Sequence, residues 1–254
     1  MKYVTEQGKL RDQGETDTVI DKTLAGTGYE GMRTDDWMFY YADIYVETIQ
    51  YGKRTQTCEF LKTNESASAD ELVLLMADFG HKVAGVYFDE YDTRVIADTK
   101  VDTMADARPW TFQFCSEYGW FQVPSKEHVM RPTMLEESFW TTMCQRSFGD
   151  GMVAMPKATE TTIDQGGLDI AESNIFFSSG VEDPWRWIGR MESNDSLNQV
   201  VRVSDCDDCA HCVDLYNPRA EDPAELKETR KMIESWVDEL LGKKEMKQPV
   251  EFLQ

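Results

Sequence analysis

Apolar residues along this chain follow two patterns in succession. Up to Gly149 they recur at helical spacing, and beyond it they collect in short runs that predict strands. Met1 to Asp36 is polar and holds Gly26, Gly28 and Gly31, which predicts a short helix and then a loop. Trp37 to Gln50 is rich in aromatic and apolar residues and predicts a buried helix, with Asp35 or Asp36 as its N-cap. Ser68 and Glu71 have the spacing of a capping box, and Leu72, Leu75, Met76 and Phe79 follow at helical spacing. Thr133 and Glu136 predict a further box leading into Phe139, Trp140 and Met143, with Gly149 as the stop. Thr63 to Ala69 between these helices predicts a surface loop.

In the second part, Ser173 to Phe177 (SNIFF) is a short apolar run bounded by turn residues, as expected of a buried strand. Gln199 to Val203 (QVVRV) predicts a second strand, rich in valine. A long helix closes the pattern, with Asp222 as cap, Pro223 at its first position and Glu225 completing a box. Leu226, Ile233, Trp236, Val237 and Leu240 give that helix one apolar face suited to a core. Strand, loop, strand, loop, helix is the ending of an α/β fold whose last helix packs on a sheet. Two strands alone make no stable sheet, so partner strands are expected elsewhere, and this chain offers few. No internal repeat or low-complexity segment interrupts the reading.

A length of 254 residues fits one large domain or a domain with an inserted subdomain. With 41% hydrophobic and 29% charged residues the composition is that of a globular protein. The formal charge of −21 repels nucleic-acid phosphates and anionic membrane surfaces, so neither is an expected partner. The same acidity suits a protein working at low pH. No apolar run approaches the ~20 residues of a membrane span. Met1 to Gly14 is polar and shows no signal peptide. Six cysteines are present, and dispersed cysteines fit disulfides in an oxidising compartment. A chain fitted for such a compartment but without a leader is expected to lack an N-terminal part.

The candidate chemistry is narrow, because His81, His128 and His211 are the three histidines. His81 and His128 have no catalytic context and are read as structural. His211 follows the second predicted strand, and Asp183 follows the first, in Ser179-Gly180-Val181-Glu182-Asp183-Pro184-Trp185. Sites of open α/β sheets assemble at the C-terminal ends of strands. An acid after one strand and a histidine after the next is the order of an α/β-hydrolase, serine then acid then histidine. That chemistry needs a carboxylate to fix the imidazole tautomer and stabilise the imidazolium.

Cysteine supplies a rival. Cys206-x-x-Cys209-x-x-Cys212 resembles the start of a ferredoxin-type run, but Tyr216 stands where the fourth cysteine would fall and the proline is displaced to Pro218. Cysteine and histidine this close also suit zinc. The other reading is disulfide pairing that draws in Cys58, with connectivity open. Cys115 with Cys144 is the expected disulfide, because the two flank a loop before a helix.

Longer motifs carry a resemblance. SNIFFSSGVEDPW, then CAHCVDL, then a DP-initiated helix containing ESW is similar to the end of one serine peptidase family, that of lysosomal Pro-X carboxypeptidase, dipeptidyl peptidase II and thymus-specific serine protease. The turn departs at Ser179, where the family commonly has Asn. Trp110 to Gly119 (WTFQFCSEYG), Cys144-Gln145 before Phe148-Gly149, and Gln50-Tyr51-Gly52 resemble further family segments, so the likeness runs from about Trp37 onward. The resemblance implies that Asp183 is the triad acid and His211 the base. It implies an α/β-hydrolase fold of which this chain is the C-terminal part, with residues 1–149 a mainly helical cap or insertion, residues 150–254 the closing strands and helix, and the N-terminal half of the sheet missing. It further implies an exopeptidase acting on peptides, often beside proline, in a lysosome, vacuole or secreted fluid, with no cofactor, no resident metal and scope for a homodimer. Trp185 and Trp187 are candidates for a substrate pocket or for core packing. The family's nucleophile lies in a G-x-S-x-G elbow, and no G-x-S-x-G occurs in this chain. Two further expectations therefore stand beside the peptidase: a catalytically inactive relative or truncated product, and a metal-binding module on Cys206, Cys209 and Cys212.

Overall fold

A computed structural model of the chain describes residues 1–102, 105–125, 131–152 and 156–242. His128 lies outside the described residues. The fold is mixed α/β, mostly helical, with a small parallel sheet. It divides into two compact units, one of Met1–Thr48 with Gln56–Gly167 and one of Ile49–Thr55 with Leu168–Gln254. Among the described residues no helix is long and apolar enough to cross a membrane.

The first unit is helical. Its elements are α1 (Lys2–Asp12), α2 (Val19–Leu24), α3 (Thr34–Gln50, whose last two residues belong to the second unit), α4 (Arg54–Thr63, whose first two do), α5 (Ala69–Phe79), α6 (Thr93–Ile96), α7 (Ala107–Gln113), α8 (Glu137–Phe148) and α9 (Ala158–Gln165). Local chemistry starts two of them. Thr18 and Asp21 form a reciprocal capping box on α2, and Ser68 and Glu71 form one on α5. Trp37, Met38, Tyr40, Tyr41 and Ile44 of α3 are buried with Ile20, Leu24, Met76, Phe139, Trp140 and Met143 to make the core. Phe39 meets Tyr91, Phe139 and Trp140 edge-on at 4.8–5.9 Å. Cys115 and Cys144 are joined by a disulfide that ties the segment after α7 to α8.

Two expected caps of this unit differ. Helix α3 begins at Thr34, so Asp35 and Asp36 fall inside its first turn. Asp35 pairs with Arg33 and Arg146, while Asp36 accepts from Thr93 N at 3.1 Å and Thr93 Oγ1 at 2.6 Å. Helix α8 begins at Glu137 with Glu136 as an uncapped N-cap, and no box forms with Thr133. A turn that bonds Leu135 N to Pro132 O and buries Leu135 completely delays the helix start.

Carboxylates are also buried in this unit. Asp43 accepts from Tyr91 Oη and pairs with Arg131, each at 3.0 Å. Burial pushes its carboxyl pKa up, opposed by Arg131. Burial raises Glu47 to about 8, helped by the nearby carboxylates of Asp43 and Glu90, and raises Asp36 to about 6.

The second unit holds β1 (Ile175–Gly180) and β2 (Gln199–Ser204), paired in parallel with Ile175 opposite Gln199 and Gly180 opposite Ser204. Aromatic and β-branched residues favour this pleated pairing, and Ser178 to Gly180 extend β1 beyond the expected SNIFF run because β2 continues to Ser204. Helix α10 (Ala224–Leu240) packs on β2, with a hydrogen bond between Ser204 Oγ and Thr229 Oγ1 at 2.8 Å. Its expected cap does not form. The helix starts at Ala224 with Pro223 as N-cap, because the Asp222 carboxylate is taken by Arg219 N at 2.7 Å and by the Arg230 guanidinium. Its apolar face is only partly covered. Leu226 is buried, Ile233 and Trp236 are half-buried, and Val237 and Leu240 are exposed, since the described sheet has two strands to set against a helix of 17 residues.

Candidate active site

Asp183 leaves the C-terminal end of β1. The strand stops at Gly180, and Asp183 N then donates back to Gly180 O at 3.1 Å. Asp183 caps the short 3-10 turn Pro184–Ile188, with Oδ1 accepting from Trp185 N at 2.8 Å. Pro184 suits the first position of that turn because it has no N–H to satisfy. One carboxylate oxygen is thereby fixed, and the other is free to face its neighbour.

His211 leaves the C-terminal end of β2 after a turn that the Cys206–Cys209 disulfide closes. Two glycines admit this turn. A Cβ on Gly180 would stand 2.2 Å from Cys209 O and 2.6 Å from Ala210 N, and one on Gly52 would stand 2.5 Å from Asp208 O. The backbone of residues 208–210 therefore passes where only hydrogen atoms leave room. Glu182 N donates to Cys209 O at 2.9 Å, which links the Asp183 loop to the turn before His211. The Glu182 carboxylate accepts from Asp208 N at 3.2 Å and pairs with Arg54 Nε at 2.8 Å.

These contacts bring Asp183 Oδ2 within 3.0 Å of His211 Nδ1. An ionised carboxylate only accepts, so Nδ1 carries the proton in this contact and Nε2 keeps its lone pair. The Asp183 side chain is 7% exposed and that of His211 30%, so the acid is sheltered while the imidazole reaches solvent. Such a pair can take a proton at Nε2 and stabilise the resulting imidazolium. Gln50 spans both loops. Its carbonyl accepts from His211 N at 2.8 Å and its Oε1 accepts from Trp185 Nε1 at 2.6 Å. The rings of Tyr51 and Trp185 lie 6.2 and 6.3 Å from the imidazole.

The other candidates separate from this pair. The exposed His81 packs against Tyr87 at 4.5 Å in the first unit. Ser178 Oγ donates to Asp214 Oδ2 at 2.8 Å rather than facing His211. The cysteine-cluster metal module is contradicted, because the Cys206–Cys209 bond consumes two of its three thiols, and among the described residues no group of three His, Cys, Asp or Glu is placed to hold a metal. Cys58 and Cys212 are free thiols. Burial, with the carboxylates of Asp183 and Asp214 nearby, pushes the Cys212 thiol pKa up. The bridging role of Gln50 and the Arg54–Glu182 pair have no local signal in the sequence, since their partners lie far along the chain.

A family model for serine carboxypeptidase S28 matches residues 37–233, which include the acid, the histidine and the Gln50 segment. The chain is also 27% identical over 183 residues to an Arabidopsis thaliana protein named "Probable serine protease EDA2", covering 71% of this chain and 37% of the relative. It is 24% identical over 205 residues to lysosomal Pro-X carboxypeptidase of Mus musculus, covering 78% of this chain and 39% of that protein. The chain belongs to the serine carboxypeptidase S28 family and spans less than two-fifths of the length of these relatives.

Proposed function

We propose that this chain carries the acid and base of a serine exopeptidase of the Pro-X carboxypeptidase or dipeptidyl peptidase type. In this reading the triad is completed by a serine from polypeptide outside these 254 residues. The observation that carries the reading is the 3.0 Å contact between Asp183 Oδ2 and His211 Nδ1, made by loops leaving the same ends of two paired parallel strands. His211 Nε2 takes the serine proton as the hydroxyl attacks the peptide carbonyl, then returns it to the leaving amine. Asp183 holds the tautomer and balances the imidazolium charge. Gln50 positions both loops.

The described sheet belongs, in this reading, to an α/β-hydrolase domain closed by residues 150–254, with residues 1–149 as its helical cap. Peptides containing proline are the proposed substrates, on the resemblance to the Pro-X carboxypeptidase family. A lysosomal, vacuolar or secreted setting is supported by the disulfides and by the lysosomal relative.

The test is a fluorophosphonate probe, applied to the 254-residue chain and to the native protein isolated from its source through an antibody against this chain. The chain alone stays unlabelled, and the native protein is labelled at a serine in a G-x-S-x-G segment. A labelled serine within these 254 residues would overturn the assignment of the nucleophile. A native protein that takes no label would favour the inactive relative.

A further inference from the structure

We infer that the Cys206–Cys209 disulfide is a redox switch on the Asp183–His211 contact, opened by a low-molecular-weight thiol and closed again by the same exchange run backwards with a low-molecular-weight disulfide. The inference rests on reading Asp183 and His211 as acid and base, and it adds regulation to that site.

Position is the first ground. Cys209 stands two residues before His211, and its carbonyl accepts from Glu182 N, the neighbour of Asp183. One cross-linked turn thus touches both loops that the contact depends on. Gly180 and Gly52 press on the same turn with no room to spare, so a small shift of residues 208–210 is passed to the end of β1 and to the Gln50 segment.

The turn has reasons to move once released. Asp208 sits at φ 56°, a left-handed conformation that costs a residue with a Cβ. Asp205, Asp207 and Asp208 place three carboxylates within four positions of it, and the Glu182 carboxylate that accepts from Asp208 N is a fourth. Arg54 pairs with Glu182 and Asp207 across it. The cross-link holds this arrangement by covalent constraint.

The size of the loop distinguishes the two disulfides. Cys206 and Cys209 are three positions apart, whereas Cys115 and Cys144 are 29 apart. Closing a short loop removes little chain entropy from the unfolded state, so the main effect of the Cys206–Cys209 bond is on local geometry. Cys206 is half-buried and Cys209 is 1% exposed, so an attacking thiolate meets the Cys206 sulfur first and Cys209 is the leaving thiolate. Cys115 and Cys144 are both buried at 1–2% exposure and resist the same reagent.

The chemistry balances. A thiolate RS⁻ bonds to Cys206 Sγ as the Cys206–Cys209 bond breaks, and the electron pair leaves on Cys209, which takes a proton. A second RS⁻ attacks the sulfur of the bound R group and releases Cys206 as thiol and the reductant as RSSR. The protein disulfide gains two electrons and two protons, and two thiols become one disulfide.

The experiment is NMR of the 15N-histidine-labelled chain, read at the low-field proton on His211 Nδ1 and assigned with a His211→Gln variant. The oxidised protein shows this resonance. Titration with dithiothreitol abolishes it in step with mass-tagging of Cys206 and Cys209, and reoxidation with oxidised glutathione restores it. The Cys206→Ser/Cys209→Ser variant lacks the resonance from the start and ignores the reductant. Persistence of the resonance after both thiols are tagged overturns the switch, as does a double variant that keeps it. If the double variant does not fold, the titration of the natural chain decides alone. A resonance in the oxidised protein that is unchanged in Asp183→Asn sinks the acid–base reading instead, whatever the reductant does.

Discussion

The peptide N–H of His211 donates to the carbonyl of Gln50, while the Gln50 amide oxygen takes the indole N–H of Trp185. Trp185 in turn donates its own peptide N–H to Asp183. A buried residue at the end of α3 therefore holds the acid-bearing loop with its side chain and the histidine-bearing loop with its backbone. Gln50→Leu removes the side-chain half. It should destabilise the protein by about 0.5–1.5 kcal/mol, the net worth of one hydrogen bond, here from a half-buried indole. Gln50→Glu keeps an acceptor oxygen and should preserve the imidazole signals that Gln50→Leu disturbs. Urea midpoints and histidine NMR check the two arms, and equal spectra for both variants would remove Gln50 from this role.

Gly180 supplies a steric test. Gly180→Ala places a methyl 2.2 Å from Cys209 O, and neither backbone can yield without moving its loop. The expected loss is about 1–3 kcal/mol, the usual cost of overpacking. Gly189→Ala is the control, because its added methyl meets Arg186 O at 3.5 Å and its φ of −94° suits any residue. A Gly180→Ala variant as stable as Gly189→Ala would show that the strand end and the turn are not in this contact.

Glu47 predicts how stability varies with pH. Its carboxyl is raised to about 8 in the folded protein by burial and by the Asp43 and Glu90 carboxylates, from an ordinary value of 4.5. The folded state therefore binds this proton more tightly than the unfolded chain. The associated stability is fully present below pH 4.5 and is lost as pH rises towards 8. Glu47→Gln has no proton to lose. It should match the natural chain near pH 4 and exceed it at pH 8 and above by on the order of a few kcal/mol. Thermal unfolding across this range reads the difference, and parallel curves for the two proteins would place Glu47 in water.

Much of the site was legible because its signals are local. The strand-bounding turns, Asp183 before Pro184 and His211 inside CAHCVDL could be found by reading along the chain. The capping box at Ser68 and Glu71 was legible for the same reason, since both partners lie within one turn of helix. The failed caps show the limit. Asp36 and Asp222 have the right residue type at the right place, but Thr93 and Arg230 claim their oxygens from elsewhere in the fold. Arg54 with Glu182, and Gln50 with Trp185, depend on packing between distant segments and leave no periodic trace. The pairing within the three-cysteine run was equally open, because Cys206-x-x-Cys209-x-x-Cys212 has the same spacing on both sides of Cys209.

The Cys115–Cys144 disulfide closes a loop of 29 positions in the helical unit. Its replacement by Cys115→Ser/Cys144→Ser should cost about 2–4 kcal/mol, chiefly by freeing the unfolded chain. A drop in thermal midpoint without any change at His211 is the expected pattern. A change at His211 would show that this disulfide also supports the site.

The most direct test of the central claim is the 15N chemical shifts of the His211 ring, which report which nitrogen carries the proton. In the natural chain the neutral ring should carry it on Nδ1, facing Asp183, with Nε2 bare. Asp183→Asn removes the charged acceptor and should release the ring to the other tautomer. Identical ring shifts in the two proteins, across the full titration of the imidazole, would mean that Asp183 does not govern His211.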